Sequence, residues 1–305
     1  MNSPNIFDRK LIQANLSRAA ATLPQADFLI RHAAEELADR LEAIKRDFGR
    51  AADVGACHGI AARLLNERFP GMDVVSLSLA EALAKACPAP RAAGSEDALP
   101  LKDGALGLIT SVLSLHLVND LPGALIQIRR ALRPDGLFLA ALLGGDTLIE
   151  LRQAFMTAEM ETLGGVSPRV FPAADIRDMG SLLQRAGFAL PVVDSERLTV
   201  TYSDPLALMK ELKAMGAGNP LSARSKKPMR RDTLALAVET YAKQFSGPDG
   251  RVRATFEILY LCGWAPHESQ QKPLKPGSAT VRLADALGTA GMHAGDKAGF
   301  KKRED

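Results

Sequence analysis

The spacing of apolar and polar residues changes several times along the chain, and each change predicts a different element. Between Asp27 and Ile44, apolar residues recur every three or four positions with charges between them, which is typical of an amphipathic helix. From Ala51 to Leu143, short apolar runs alternate with amphipathic stretches. This alternation predicts βαβ units and a parallel sheet with right-handed crossovers. Residues 134–136 (Pro-Asp-Gly) predict a turn that starts a strand at 137–143.

After Leu143 the pattern is interrupted and longer helices are expected. Periodicity and breakers predict helices at 147–163, 175–186, 205–215 and 232–245, and strands at 190–200 and 252–264. Between two of these helices lies a basic loop at 219–231, which could dock an acidic partner or be a solvated segment. We divide the chain into a helical cap at 1–45, a core at 46–200, a helical insertion with a closing strand at 201–287, and a disordered tail at 288–305.

Charge and composition exclude several classes of protein. The net charge is +3 over 305 residues, so nothing in the whole-chain charge favours a nucleic-acid partner. No apolar run approaches the roughly 20 residues that span a bilayer, and charges at Asp8 and Arg9 argue against a signal peptide. The three cysteines lack a CxxC spacing, which fits a reducing cytoplasm and argues against a disulfide framework or a structural zinc site.

A glycine-containing turn between the first predicted strand and its helix is the first candidate site. Gly55 and Gly59 bracket this turn, and glycine lets a ligand approach the backbone closely. The exposed N–H groups at the start of a helix favour an anion or a nucleotide. A Gly-x-x-x-Gly turn is also common without any ligand, so this motif alone leaves both interpretations open.

Five short motifs stand in the order found in one large superfamily. They lie at residues 53–59, 99–100, 108–111, 114–120 and 132–138. Over about residues 50–188 the chain therefore resembles the class I AdoMet-dependent methyltransferases. The resemblance implies an α/β fold with a Rossmann-like, doubly wound sheet of seven strands, the last antiparallel, together with an N-terminal helical cap and helical insertions.

S-adenosyl-L-methionine (AdoMet) is the cofactor that this resemblance implies. The positions that match the family's cofactor-binding motifs lie in the glycine turn and at the ends of the following strands. They are Asp53, Gly55, Cys57, Gly59, Ser78, Ser95, Glu96, Asp97 and Ser111.

Four positions depart from the superfamily's usual residues. Cys57 stands in place of a glycine, and Ser78 stands in place of the acid that binds the ribose hydroxyls. Ser95 replaces the adenine-side acid, although acids follow at the next two positions, and Gly107 replaces an aspartate. The departures leave open a site that binds AdoMet weakly and one that has lost its ligand.

Motifs outside this core resemble a narrower family. They lie at residues 6–9, 118–122, 144–152, 164–168 and 263–270. From Ile6 to about Leu287 the chain is similar to the methyltransferase-fold assembly factor of respiratory complex I and its bacterial relatives. The resemblance implies a protein partner, a subunit of NADH:quinone oxidoreductase, and hydroxylation of one of its arginines. It implies action in the cytoplasm, or in the mitochondrial matrix of a eukaryote.

Four residues are candidates for catalysis. Asp146 follows two glycines at the end of a predicted strand and could bind a guanidinium; it could equally be the N-cap of the next helix. His116 could be a base or a packing residue, and His267 with Glu268 could close over the pocket. Two histidines and a carboxylate can form an iron facial triad, but no spacing rule supports one, so we predict no metal.

Cys57 could be a reactive thiol or a buried filler.

Three functions fit these observations. The first is modification of a complex I subunit, or help in its assembly, by a methyltransferase-fold protein. The second is AdoMet-dependent methyl transfer to a small or carrier-bound acyl acceptor, because relatives in this family are often labelled as methyltransferases of malonyl thioesters. The third is a non-catalytic assembly factor with a degenerate pocket.

Overall fold

The computed structural model describes residues 5–172 and 175–271, together with Val281, Asp285 and Gly288. The chain divides into a first unit at 1–267 and a second unit at 268–305. The fold below belongs to the first unit. The predicted tail lies outside the described residues except for Gly288, so its disorder stays a prediction.

The alternating pattern of the sequence is observed as a seven-stranded sheet with helices on both faces. The strands in the described residues are β1 (Arg50–Val54), β2 (Asp73–Ser78), β3 (Arg91–Ala93), β4 (Leu106–Val112), β5 (Leu132–Leu143), β6 (Ala189–Tyr202) and β7 (Val252–Trp264). The α-helices there are α1 (Arg9–Ala19), α2 (Phe28–Glu42), α3 (Ile60–Arg68), α4 (Glu81–Ala86), α5 (Leu121–Ala131), α6 (Ile149–Leu163), α7 (Ile176–Arg185), α8 (Pro205–Ala214) and α9 (Arg231–Phe245).

The strand order is β3-β2-β1-β4-β5-β7-β6. Strands β1 to β5 are parallel, and β7 pairs antiparallel with both β5 and β6. The expected doubly wound sheet with an antiparallel last strand is confirmed. The order reverses between β1 and β4, and open α/β sheets bind ligands beyond the carboxyl ends of the strands at such a point.

Each face of the sheet has its own core. On one face, α2, α3, α6 and α9 bury side chains such as Leu41, Phe155 and Tyr241. On the other face, α5 and α7 bury Ile128 and Leu183. All seven residues of β4 are buried, as expected for a central strand covered on both sides. None of the helices in the described residues is long and apolar enough to cross a membrane.

The predicted start of the fifth strand is wrong. Residues 134–136 lie inside β5, which begins at Leu132, and Asp135 takes a left-handed φ of 63° there. The pairing with β4 shifts register between Leu106 and Leu108. A Cβ at Gly107 would lie 2.0 Å from the carbonyl oxygen of Phe48, so close backbone packing explains glycine at this position. The exposed three-residue β3 was not predicted because it carries no apolar run.

Candidate functional site

The glycine turn forms a tight connection between β1 and α3. Gly55 and Gly59 both have left-handed φ values, 74° and 80°, which favour glycine. A Cβ on Gly55 would lie 1.9 Å from the Ser114 hydroxyl oxygen, and one on Gly59 would lie 2.8 Å from the Cα of Cys87. Both glycines are therefore required by the packing around the turn as well as by its backbone conformation.

A small cavity of about 40 Å³ lies beside this turn. The turn and the ends of the neighbouring strands form one side of the cavity, with Gly55, Cys57, Ser78 and Glu96 among the lining residues. Helix α1 forms the other side, contributing Arg9, Ile12 and Leu16. The cavity is therefore at the topological switch point, but it is closed by the N-terminal helix.

Arg9 occupies the acidic side of this cavity. Its guanidinium forms ion pairs with Glu96 and with Asp97, the latter at 2.8 Å between Nε and Oδ2. It also donates to the Ser95 hydroxyl at 3.1 Å. The Ser114 hydroxyl donates to the other oxygen of Glu96 at 2.5 Å. The three neighbouring residues predicted to face a cofactor, Ser95 to Asp97, thus hold an arginine of the same chain.

The segment before α1 is anchored to Asn119 and to the basic loop at 219–231. The Phe7 N–H donates to the Asn119 side-chain oxygen at 2.8 Å, and the Asn119 amide donates back to the Phe7 carbonyl at 3.0 Å. Phe7 also forms an antiparallel bridge with Leu221. Arg224, from the basic loop, pairs with Asp8 at 3.2 Å. These contacts fix α1 over the strand ends.

The side chains around this cavity are suited to binding AdoMet, but the cavity is too small to hold it. Glu96 and Asp97 can accept from hydroxyl and amine groups, and the turn at Gly55 exposes backbone to a ligand. Pockets that enclose drug-sized ligands typically have about 300–1,000 Å³, far more than this cavity. AdoMet does not fit here while Arg9 and α1 keep this arrangement.

Asp53 is buried in β1, just before the turn, and Cys57 is half-buried within the turn. Asp53 is buried outside the cavity lining, with the Thr110 hydroxyl at 3.4 Å, and burial raises its pKa to about 7. Burial, with Asp53 nearby, raises the pKa of the Cys57 thiol to about 12. The thiol therefore stays protonated at neutral pH, which argues against the reactive-thiol hypothesis and for a filler.

Two predicted serines occupy different positions. Ser78 is buried at the end of β2 and lines the cavity. Ser111, on β4, is fully buried but outside the lining, and its hydroxyl oxygen has no hydrogen-bond partner among the described residues.

His116 lies in the short 3-10 turn after β4 and stacks on Phe171, with 5.1 Å between ring centroids. Burial lowers its pKa to about 3, so the imidazole is neutral at physiological pH. Its Nδ1 has no hydrogen-bond partner among the described residues. A histidine with this pKa is a weak base, and the packing interpretation accounts for its contacts.

Asp146 follows β5 but its carboxylate pairs with Arg197 of β6. Its backbone N–H donates to Glu257 at 2.8 Å. The N-cap of α6 is Leu148, so the alternative prediction that Asp146 caps this helix is wrong. The side chain remains 41% exposed and accessible to a partner.

His267 ends the first unit, and Glu268 belongs to the second. The predictions for these two residues stay untested. Among the described residues, no three His, Cys, Asp or Glu side chains are grouped so that they could hold a metal ion.

Sequence reasoning missed the residues that close the cavity. Arg9, Ser114 and Asn119 all lie in motifs recognised above, but no role was assigned to them. The sequence did contain a signal, since the basic residue Arg9 lies in the motif at 6–9 and two acids lie at 96–97. Their pairing spans 87 positions, and no local pattern indicates a contact at that separation.

The comparisons with known proteins agree with this fold. Residues 52–140 match a family described as "Methyltransferase domain". The crystal structure of the YcgJ protein from Bacillus subtilis superposes with a TM-score of 0.53 at 13% identity, over 76% of this chain and 99% of that one. The fold and the glycine turn thus define a protein of the methyltransferase-domain class.

Relatives that are similar over most of the chain identify the family. The mitochondrial arginine-hydroxylase NDUFAF5 of Danio rerio is 39% identical over 92% of this chain and 89% of its own length. The human arginine-hydroxylase NDUFAF5 is also 39% identical. The malonyl-[acyl-carrier protein] O-methyltransferase of Laribacter hongkongensis is 36% identical over 90% of this chain and 96% of its own length. The chain belongs to the methyltransferase-domain family that contains both kinds of protein.

Proposed function

We propose that the protein hydroxylates an arginine side chain on a subunit of respiratory complex I and thereby serves the assembly of that complex. One oxygen atom of molecular oxygen would enter the side chain, and an external donor of two electrons would reduce the other to water. The observation that carries the proposal is the 39% identity to arginine-hydroxylases over 92% of the chain. This similarity extends well beyond the methyltransferase domain at 52–140. It therefore includes sequence on both sides of that domain.

The site chemistry supports an arginine substrate. Glu96, Asp97 and Ser95 already hold one guanidinium, that of Arg9. Carboxylates are the natural partners of a guanidinium because they accept its parallel N–H groups. In the proposed function, Arg9 leaves both acids, and the substrate arginine pairs with Asp97, which is 32% exposed and lies outside the cavity lining. Asp146 is a second candidate contact, since its exposed carboxylate also holds an arginine.

AdoMet is the proposed ligand of the methyltransferase domain. It would bind between the glycine turn and Glu96, with Gly55 and Ser78 on its strand side. Binding requires Arg9 to leave, because the cavity beside it holds only about 40 Å³.

A second candidate function is methyl transfer to a malonyl thioester. The 36% identity to the Laribacter hongkongensis O-methyltransferase favours it. In that chemistry the protein mainly aligns the carboxylate with the methyl donor and excludes water. Calorimetry with AdoMet tests it directly: no binding at millimolar ligand excludes methyl transfer and leaves hydroxylation or assembly without catalysis.

Deletion of the gene tests the main proposal. The arginine-containing peptides of the complex I subunits are weighed by mass spectrometry in the parent and in the deletion strain. The proposal predicts that one arginine loses the mass of one oxygen atom on deletion. An arginine of unchanged mass in every subunit would contradict hydroxylation, and reduced complex I content with unchanged masses would favour a non-catalytic assembly role.

A further inference from the structure

A second and larger cleft lies on the other side of α1. It has a volume of about 660 Å³ and is open to solvent between α1, α6, α8 and the loop that follows α8. We call it the basic cleft. Its volume lies within the range of about 300–1,000 Å³ that is typical of pockets for small-molecule ligands. None of the proposed catalytic or cofactor-binding residues lines it.

The floor of the basic cleft is apolar. Helix α6 contributes Leu151 and Phe155, helix α8 contributes Met209 and Leu212, and Met229 projects from the basic loop. Met229 is 38% exposed, so part of this surface faces water in the structure. An apolar chain laid on this floor would remove the surface from water, and that removal favours binding.

The rim of the cleft is positively charged. Arg18 of α1 and Lys210 and Lys213 of α8 line it, and none of the three lies within ion-pair distance of a carboxylate in the described residues. The charge of Lys210 contributes to lowering the pKa of Asp204, the N-cap of α8. Arg18 donates only to the Asn15 side chain and the Ala14 carbonyl. Among the described residues that line the cleft there is no aspartate or glutamate. The fourth cation, Arg169, is neutralised by Glu159.

We propose that the basic cleft binds an amphipathic anion, with one carboxylate or phosphate head on an unbranched apolar chain. The unpaired cations at the rim would hold the head, and the apolar floor would hold the chain. A cationic head is disfavoured by repulsion from the same three side chains. The proposal is independent of arginine hydroxylation, because its residues are not those of the site at Glu96.

Titration calorimetry with a series of fatty acids tests the proposal. The probes are octanoate, decanoate and dodecanoate below their micelle concentrations, with decyltrimethylammonium as the matched cation. Burial of each added methylene is expected to tighten binding about fourfold. Decanoate should bind at least tenfold more tightly than decyltrimethylammonium. Equal binding of the two, or no gain with chain length, would overturn the proposal.

Two exposed substitutions locate the site without disturbing the core. Lys213→Glu reverses a rim charge and Met229→Asp places a carboxylate against the chain; both should weaken decanoate binding tenfold or more. The matched control is Lys243→Glu, because Lys243 also lies in the last turn of an exposed helix end, on α9, and is outside the cleft. The affinity of Lys243→Glu for decanoate should stay within twofold of the wild-type value. Equal affinity in all three variants would contradict the assignment.

Discussion

Arg9 decides whether the acidic side of the cavity is available to a ligand. Its guanidinium is 19% exposed and its partner Glu96 is 6% exposed, so their ion pair is largely shielded from water. Charged hydrogen bonds of this kind contribute about 1.5–3 kcal/mol each. A ligand that binds the same acids must compete with this interaction.

Replacing Arg9 by glutamine removes that competition. We expect Arg9→Gln to tighten AdoMet binding about tenfold or more, since tenfold corresponds to about 1.4 kcal/mol. Calorimetry on both proteins measures the change. Arg18→Gln on the same helix is the control, because Arg18 contacts no carboxylate. Weaker or equal affinity in Arg9→Gln would show that Arg9 does not block the site.

The raised pKa of Asp53 makes the free energy of unfolding depend on pH in a definite direction. Its pKa of about 7 in the folded state exceeds the unfolded value of about 3.9, so the folded state binds more protons between these values. The contribution of Asp53 to the free energy of unfolding therefore falls as the pH rises from about 4 to about 7 and is constant above that.

The substitution Asp53→Asn removes this dependence. Between pH 5 and pH 7 the wild-type protein should lose about 2 kcal/mol more unfolding free energy than the variant. Urea unfolding at the two pH values measures the difference. Parallel losses in both proteins would mean that Asp53 titrates at an ordinary carboxyl pKa.

Helix α1 acts as the lid of the cavity, and a few long-range contacts hold it. The two hydrogen bonds between Phe7 and Asn119 join residues 112 positions apart and fix the entry of the helix. Ile12 packs with Phe7 and Leu221 in a small apolar cluster separate from the main cores. Because α1 packs outside the two main cores of the sheet, it is expected to open before the sheet does.

Asn119→Ala should release this lid. We expect faster hydrogen exchange across α1, with exchange in β4 unchanged, because only the anchor of the helix is lost. Mass spectrometry of exchanged peptides measures both segments. Ser17→Ala is the control, since the Ser17 hydroxyl bonds only within α1, to the Gln13 carbonyl. Unchanged exchange in α1 would show that other contacts hold the helix.

Helix α6 and the loop after it are joined by a buried ion pair. Glu159 is fully buried, accepts from the N–H and hydroxyl of Ser167, and pairs with Arg169. The pKa of Glu159 is lowered despite burial, because Ser167 and Arg169 both stabilise the carboxylate. Loss of either Ser167 or Arg169 leaves the buried Glu159 carboxylate with too few partners to compensate its charge.

Arg169→Met should therefore lower the free energy of unfolding by about 3–5 kcal/mol. The added change Glu159→Gln should restore part of it, because the uncompensated charge is removed. Denaturant titration measures all three proteins. Arg130→Met breaks an exposed pair with Asp103 and should cost under about 1 kcal/mol. Equal small losses in both single variants would contradict the buried-charge account.

At the scale of the whole molecule, much of the sheet could be predicted from the sequence. Apolar runs bounded by turns predicted the parallel strands other than β3, and the resemblance to methyltransferases implied the antiparallel last strand; both are confirmed. The start of β5 at Leu132 was missed because a turn sequence can lie inside a strand when the register shifts.

The site was harder to predict than the fold. Gly55 and Ser78 were assigned to the cavity from their motif positions, and they line it. The closure by Arg9 was missed, because it depends on how α1 packs over the strand ends. The basic cleft was missed for the same reason: its cations lie on two helices nearly 200 residues apart in sequence.

The most direct test of the proposed function is complementation of the deletion strain. Wild-type protein and Glu96→Gln are each returned to that strain, and the arginine peptides of the complex I subunits are weighed. The account predicts that wild-type protein restores the mass of one oxygen atom on one arginine and that Glu96→Gln, expressed at the same level, does not. Full restoration by Glu96→Gln, or no mass change with wild-type protein, would contradict it.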